Sequence, residues 1–431
     1  MTKRPLPIVE ATLEKIVGGG QALGEMPDGR KLFVWGGLPG EKVSVQLTKK
    51  KSSYAEGVVV DVIIPSPDRI TPKDPTSYLS TSPWQIMNFD AEQRHKAALI
   101  EEAFELHKVF LPKPVEVYSN GVEYGYRNKI EFSFWFDTDT QKLSLAFFKR
   151  GSHGKQVIDG TSLALPQINQ KAQEVISALN SLSVIGRQLK TLLIRCSQNG
   201  LVAWQLYVKD ENFPVKKFMA LFEASENGEV IYSNPKSPAS VITKRLTNES
   251  TPLNDVLLGV PFNYATEGFF QVNLPVYEKT LKDMSAWVLP KPKTLDLYSG
   301  VGSIGLTIGG DGVTLVEVNE AAVREMQRNI KLLNKKAVPV LAASENALEY
   351  ISNDACVIVD PPRAGLHQNV VNRILEQLPP RVIYLSCNPV TQARDISLLL
   401  LNYEIVSHRG YNYFPRTPHT ENLVVLDLKS K

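Results

Sequence analysis

Hydrophobic and polar positions alternate with a period of two through much of the first 65 residues. Ile8 to Ile16, Lys31 to Trp35, Lys42 to Leu47 and Gly57 to Ile64 read as short strands, broken by Gly18-Gly19-Gly20 and Gly36-Gly37. Short, closely spaced strands with glycine turns predict a small closed barrel of the oligonucleotide-binding kind over 1–65. Lys49-Lys50-Lys51 is expected on a loop between the last two strands, as open to phosphates as to solvent. Pro65, Pro67, Pro72, Pro75 and Pro83 then remove backbone donors and mark 66–89 as a connector. From Asp90, placed to cap, the spacing of Ala97, Ile100, Phe104 and Val109 is helical to about Phe110.

The middle stretch, to about residue 260, alternates strand-like segments with a helical one. Strands are predicted at Lys129 to Phe136, Leu143 to Phe148, Leu192 to Cys196 and Leu201 to Val208, and a helix from Pro166 to Leu182, which together read as an α+β domain. Over 261–431 the pattern becomes strand, glycine loop, helix, repeated. Candidate strands are Thr294 to Leu297, Val313 to Val318, Val338 to Leu341, Ala355 to Val359, Val382 to Leu385, Glu404 to Val406 and Leu423 to Leu428. Candidate helices are Glu320 to Leu333, Glu345 to Ile351, Val370 to Gln377 and Thr391 to Leu401. Such alternation predicts a doubly wound, Rossmann-like sheet that binds ligands at the carboxyl ends of its strands. The fold class is therefore multidomain α/β, with a barrel, an α+β middle domain and a Rossmann-like C-terminal domain.

Composition changes little in this picture. Hydrophobic residues are 43% and charged residues 22%, ordinary globular values that exclude a fibre or a disordered chain. A net charge of +3 neither requires nor excludes a polyanion. Cys196, Cys356 and Cys387 are too few and too dispersed for a disulfide framework or a zinc site, which fits a reducing cytoplasm. The N terminus has no signal-like apolar stretch, and no apolar run reaches the roughly 18 residues that span a bilayer, so a cytoplasmic protein without membrane contact is expected.

Four segments carry candidate chemistry. Asp296-Leu-Tyr-Ser-Gly300-Val-Gly302-Ser-Ile-Gly305 follows the first strand of the C-terminal sheet, and its glycines let a nucleotide cofactor approach the backbone. Glu317, ending the next strand, can hydrogen-bond ribose hydroxyls, as in NAD and S-adenosylmethionine sites alike; Asp296 ahead of the loop favours S-adenosylmethionine. Asp360-Pro361-Pro362-Arg363 leaves a strand on two prolines that fix φ and aim Asp360 at the crevice. Ser386-Cys387-Asn388-Pro389 puts a thiol at the ligand-binding face, whereas Cys196 and Cys356 read as packing. Phe414-Pro-Arg-Thr417-Pro-His419-Thr-Glu421 precedes the last strand and supplies a candidate base beside that thiol.

With Gly268-Phe-Phe-Gln271-Val-Asn273, these motifs stand in the order found in RNA uracil-5 methyltransferases, and the chain resembles that family over nearly its whole length. Its first stretch resembles the family's TRAM domain, and Tyr126-Arg127-Asn128-Lys129 resembles a segment of the family's middle domain. The resemblance implies that Cys387 adds to carbon 6 of a uracil, that carbon 5 takes the methyl group of S-adenosylmethionine, and that Glu421 removes the carbon 5 proton. Gln271, Tyr298, Ser303, Glu317, Asn346 and Asp360 match cofactor-contacting positions, Asp360 also lying near the reaction centre; Ser303 stands where some relatives have asparagine. A stacked uracil must be flipped out, and Phe269, Phe270 or Tyr413 are candidates to stack on it. Several relatives hold an iron–sulfur cluster, yet Lys73 to Gln85 and Asp159-Gly-Thr161-Ser162 contain no cysteine, so no cluster and no metal are expected, with Trp84 and apolar neighbours filling the space.

The resemblance implies an RNA partner. The barrel favours 23S ribosomal RNA, transfer RNA being the alternative, and no obligate protein partner is evident. Three rival readings are an RNA-binding protein with an inactive methyltransferase domain, a cysteine hydrolase pairing Cys387 with His408 or His419, and an NAD dehydrogenase.

Overall fold

The computed structural model describes residues 6–152, 154–289 and 293–430. Residues 1–5, at the start of the stretch expected to form the barrel, lie outside the described residues. Five strands close the barrel in the order Ile8–Ile16, Ala22–Glu25, Lys31–Trp35, Tyr54–Ile64, Lys42–Lys50. Leu13, Leu32, Val34, Val43, Val45 and Ala55 fill its interior, as the alternation requires. Ala22–Glu25 escaped the sequence reading because it is four residues long and contains Gly24. Lys49 and Lys50 are strand residues, not loop residues. Lys49 Nζ donates to Glu56 Oε1 at 2.6 Å, across the antiparallel pair that the alternation extends past Leu47.

The middle sheet has seven strands, ordered Lys244–Arg245, Gly228–Tyr232, Val202–Val208, Leu189–Cys196, Lys129–Asp137, Lys142–Phe148, Lys155–Ile158. Helix Pro166–Ser181 covers it with Ile168, Ala172, Val175 and Leu179.

The C-terminal sheet has eight strands. Val338–Leu341, Thr314–Glu317, Lys293–Leu297, Ala355–Val359 and Arg381–Ser386 run parallel; Glu421–Leu428 is antiparallel to the fifth, followed by Tyr403–Tyr411 and Val117–Tyr118. Tyr403–Tyr411 outruns the expected Glu404 to Val406, because the polar residues Ser407, His408 and Arg409 break the apolar pattern while the ladder continues. The expected helix Glu345 to Ile351 is two 3₁₀ turns, Ser344–Asn346 and Leu348–Tyr350. Helix Leu274–Ser285, unread in the sequence, enters through Pro275 and buries Val276, Tyr277, Leu281 and Met284.

Helix Phe89–Leu106 packs on helix Pro389–Leu399, so Ile100 and Phe104 belong to the core of the C-terminal sheet. Its cap is Asn88, whose side chain accepts from Ala91 N at 2.8 Å; Asp90 lies inside the first turn. The helix also stops at Leu106, short of Phe110. Hairpin Leu253–Leu257 and Val260–Tyr264 likewise packs into the C-terminal core through Leu253, Leu257, Phe262 and Tyr264. Among the described residues, no helix is long and apolar enough to cross a membrane.

Candidate active site

The carboxyl ends of the parallel strands open into a cavity of about 1590 Å³ that reaches the middle sheet, larger than a single drug-sized ligand needs. At the first strand end the chain turns through Tyr298, φ +63, and Gly302, φ +84, into helix Ser303–Ile308. Gly305 N donates to Asp296 Oδ2 at 2.9 Å. A Cβ on Gly305 would lie 2.3 Å from Leu315 Cδ2, so the third glycine permits the helix to sit against the sheet. Burial pushes the Asp296 carboxyl up to about 8. Glu317 ends the second strand, its oxygens accepting from Gly300 N at 2.9 Å and Asn319 N at 2.8 Å. Each oxygen keeps a lone pair for a further donor, such as a ribose hydroxyl.

Gln271, Tyr298, Ser303, Glu317 and Asp360 all line this cavity. Ser303 Oγ pairs with the hydroxyl of Tyr277 at 2.7 Å, so Tyr277 adds a lining group that sequence reasoning missed. Asn346 does not line it; the residue is exposed and its N–H closes a 3₁₀ turn onto Ala343 O at 2.8 Å, while Ser344 and Glu345 form the rim. An acid fixed by backbone donors, a glycine turn and a tyrosine suit an adenosyl cofactor.

Cys387, Asp360 and Glu421 meet in the same cavity from three neighbouring strands. Burial lifts the Asp360 carboxyl to about 7. Burial and then the charge of Asp360 hold Glu421 well above the usual carboxyl range. The Cys387 thiol is raised to about 11, first by burial and then by Glu421 and Asp360. The thiol and the two carboxyls thus share one partly dry cavity and influence one another's ionisation. Cys196 and Cys356 are buried strand residues, as expected.

Arg363 and His419, both exposed, line the same cavity, with Arg363 Nη2 3.5 Å from His419 Nδ1. Partial desolvation in the cavity and the nearby charge of Arg363 lower the His419 imidazole and favour its neutral form. His408, the other partner of the hydrolase reading, is buried in strand Tyr403–Tyr411 and does not line the cavity. Of the three candidate stacking rings, only Phe269 is free to stack, being 71% exposed at the mouth. Phe270 stacks on Tyr264 with centroids 4.2 Å apart, and Tyr413 is fully buried.

The cysteine-free segments meet through polar groups. Asp74 Oδ2 accepts from Ser162 N at 3.0 Å, Ser162 Oγ at 2.8 Å and Gln85 Nε2 at 3.0 Å. Trp84 instead turns to the barrel and donates from Nε1 to Gly20 O at 3.0 Å, so an oxygen-centred clasp, not apolar filling, joins the two segments. This donor set, engaged in its own hydrogen bonds and without thiolate, does not fit an iron–sulfur cluster. Among the described residues, no group of three or more His, Cys, Asp or Glu is placed to hold a metal ion.

The sequence profile of the TRAM domain matches residues 8–60, and that of the tRNA (Uracil-5-)-methyltransferase family matches residues 88–429. An "Uncharacterized RNA methyltransferase" of Nitratidesulfovibrio vulgaris is 27% identical, covering 98% of this chain and 96% of that protein. The "23S rRNA (uracil(1939)-C(5))-methyltransferase RlmD" of Photorhabdus laumondii is also 27% identical, covering 97% of this chain and 96% of that protein. Among solved structures, the tRNA (uracil-54, C5)-methyltransferase of Pyrococcus abyssi, in complex with S-adenosyl-L-homocysteine, has the same fold, with a TM-score of 0.77. It is 22% identical, and the match covers 96% of this chain and 99% of that one. With a family profile spanning its catalytic sheet and the cofactor cradle built as that chemistry requires, the chain belongs to the tRNA (Uracil-5-)-methyltransferase family and is an S-adenosylmethionine-dependent RNA uracil-5 methyltransferase.

Proposed function

We propose that the protein is a cytoplasmic enzyme that methylates carbon 5 of a specific uridine in 23S ribosomal RNA through a covalent adduct on Cys387. The convergence of Cys387, Asp360 and Glu421 on the cavity that also holds the glycine turn carries this reading. The Cys387 thiol gives its proton to Asp360 as the sulfur bonds to carbon 6 of the flipped uracil, and the ring electrons move onto oxygen 4. S-adenosylmethionine, when bound, supplies the methyl group that carbon 5 takes. Glu421 then removes the carbon 5 proton; the electrons of that bond restore the 5,6 double bond and expel the thiolate. Gln271, Tyr298, Ser303 and Glu317 hold the cofactor, and Phe269 stacks on the extruded base or its neighbour. The barrel and the middle sheet grip the surrounding RNA.

Ribosomal RNA is favoured by the full-length similarity to the RlmD proteins. The barrel does not discriminate, since the P. abyssi transfer RNA enzyme matches 96% of this chain. The test is methyl transfer from labelled S-adenosylmethionine to unmodified 23S ribosomal RNA and transfer RNA in parallel, read by nucleoside mass spectrometry. 5-Methyluridine is expected in the ribosomal RNA. In Cys387→Ala it falls by on the order of 10³-fold or more, with S-adenosylhomocysteine binding kept. Methylation of transfer RNA alone would reassign the substrate, and an undiminished Cys387→Ala enzyme would remove the covalent mechanism.

A further inference from the structure

The segment from Asn412 to Thr420 joins the last two strands and delivers Glu421, which pairs with Tyr411 across the ladder. Four successive carbonyls of this segment are each taken by a different part of the chain. Tyr413 O accepts from Asn273 Nδ2 at 3.2 Å, Phe414 O from Lys96 Nζ at 3.0 Å, Pro415 O from the Tyr126 hydroxyl at 3.0 Å, and Arg416 O from Trp84 N at 3.1 Å.

Beneath it lies a charge network that is buried except for Glu123 at its edge. Glu92 and Lys96, one turn apart on helix Phe89–Leu106 and both 0% exposed, pair at 3.0 Å. Glu92 accepts from Asn412 Nδ2 at 2.8 Å and Arg416 N at 3.0 Å, and Lys96 Nζ also donates to Asn412 Oδ1 at 2.5 Å. Arg416, itself 2% exposed, donates to Met87 O at 2.6 Å and pairs with Glu123. Arg416 holds φ at +66, a left-handed conformation that a non-glycine residue keeps only where its surroundings impose it. Two acids and two bases balance the charge. A buried ionic network gives little stability over an apolar one of the same shape, but it fixes geometry, because each charge tolerates few arrangements.

We infer that Glu92 and Lys96 are positioning residues for Glu421: from a helix outside the catalytic motifs they set the path of 412–420 and so the place of the proton-abstracting carboxylate. This rests on the role proposed for Glu421. It predicts a selective defect, in which cofactor binding and thiol addition survive but removal of the carbon 5 proton slows.

The full-length enzyme and its Lys96→Met, Glu92→Gln and double variants would be compared on uridine RNA and on the same RNA carrying 5-fluorouridine. Fluorine at carbon 5 leaves no proton to remove, so the methylated adduct stays on Cys387 and reports addition and transfer alone. Turnover on uridine RNA is expected to fall about tenfold or more, with KM within about threefold and adduct yield unchanged. The double variant is expected to cost no more than either single change, since the residues act as a unit. Hydrogen exchange in the S-adenosylhomocysteine-bound protein is expected to quicken in 412–420 and not in 298–303.

Unchanged turnover and unchanged exchange would overturn the inference, as would loss of adduct and of S-adenosylhomocysteine binding together, which marks general damage. If the unsubstituted enzyme formed neither 5-methyluridine nor adduct, the proposed function would fall, and the exchange comparison alone would decide whether the network fastens the segment.

Discussion

Cys387 is set against its own ionisation at rest. Its thiol lies at about 11, above the ordinary value, because the cavity is partly dry and two carboxyls face it. A raised thiol pKa means the neutral form dominates at pH 7, and the reactive thiolate grows as pH rises toward that value. Alkylation of Cys387 in the folded protein, followed by peptide mass spectrometry, is therefore expected to quicken about tenfold per pH unit through pH 8 to 10. Glu421→Gln removes a negative neighbour, so its curve shifts to lower pH; a plateau near pH 8 in the unsubstituted protein would contradict this account. Cys196 and Cys356 are 0% exposed and stay silent in the same experiment. The motif residues were legible because each motif is a local constraint: a glycine where backbone is approached, prolines where a strand exits, a thiol at a strand end. Asn346 was not, because its place depends on whether the chain after Leu341 forms a helix or a 3₁₀ turn.

Among the elements, the turn from strand Lys293–Leu297 into helix Ser303–Ile308 has the least slack. Gly305→Ala places a methyl 2.3 Å from Leu315 Cδ2 and 2.8 Å from Asp296 Oδ2. The expected cost is about 1–3 kcal/mol of stability, as for other overpacked cores, with a loss of S-adenosylhomocysteine affinity. Chemical denaturation and calorimetry check the two effects, and a variant with unaltered values in both would show that the helix can shift. Strands and helices with clean periodicity were readable, including the five parallel strands from Lys293 to Ser386, but the two-residue edge strand Val117–Tyr118, parallel to Tyr403–Tyr411, was too short to read. Those interrupted by polar residues, such as Tyr403–Tyr411, were foreshortened, because a ladder needs backbone partners and not apolar side chains. The cap at Asn88 was misplaced to Asp90 because both residue types suit the role, and only the extended backbone at Asn88, with ψ 159°, decides between them.

For the whole molecule, the clasp centred on Asp74 ties the connector after the barrel to the middle sheet. Asp74→Ala leaves Ser162 N without an acceptor, while Gln85 Nε2 keeps Ser82 Oγ at 2.7 Å, and is expected to cost about 1–3 kcal/mol. Protein purified without oxygen is expected to contain no stoichiometric iron and no visible absorption band; either finding would mean that ligands other than this clasp assemble there. Contacts of this kind were hidden from the sequence because they join residues far apart. Asp74 and Ser162 are separated by 88 positions, Lys96 and Asn412 by 316. No pattern within a window of the chain records either pair.

The fastening of 412–420 also orders events in time. Chains emerge from the N terminus, and regions fold as they emerge. The barrel and the middle sheet can both be in place while the last strand is still unmade. Glu421 acquires its surroundings only when the end of the sheet is laid down against residues synthesised some three hundred positions earlier. A chain stalled before Glu421 thus has its barrel and middle sheet but lacks one of the three groups that meet in the cavity. The cavity is complete only once this long-range closure has been made.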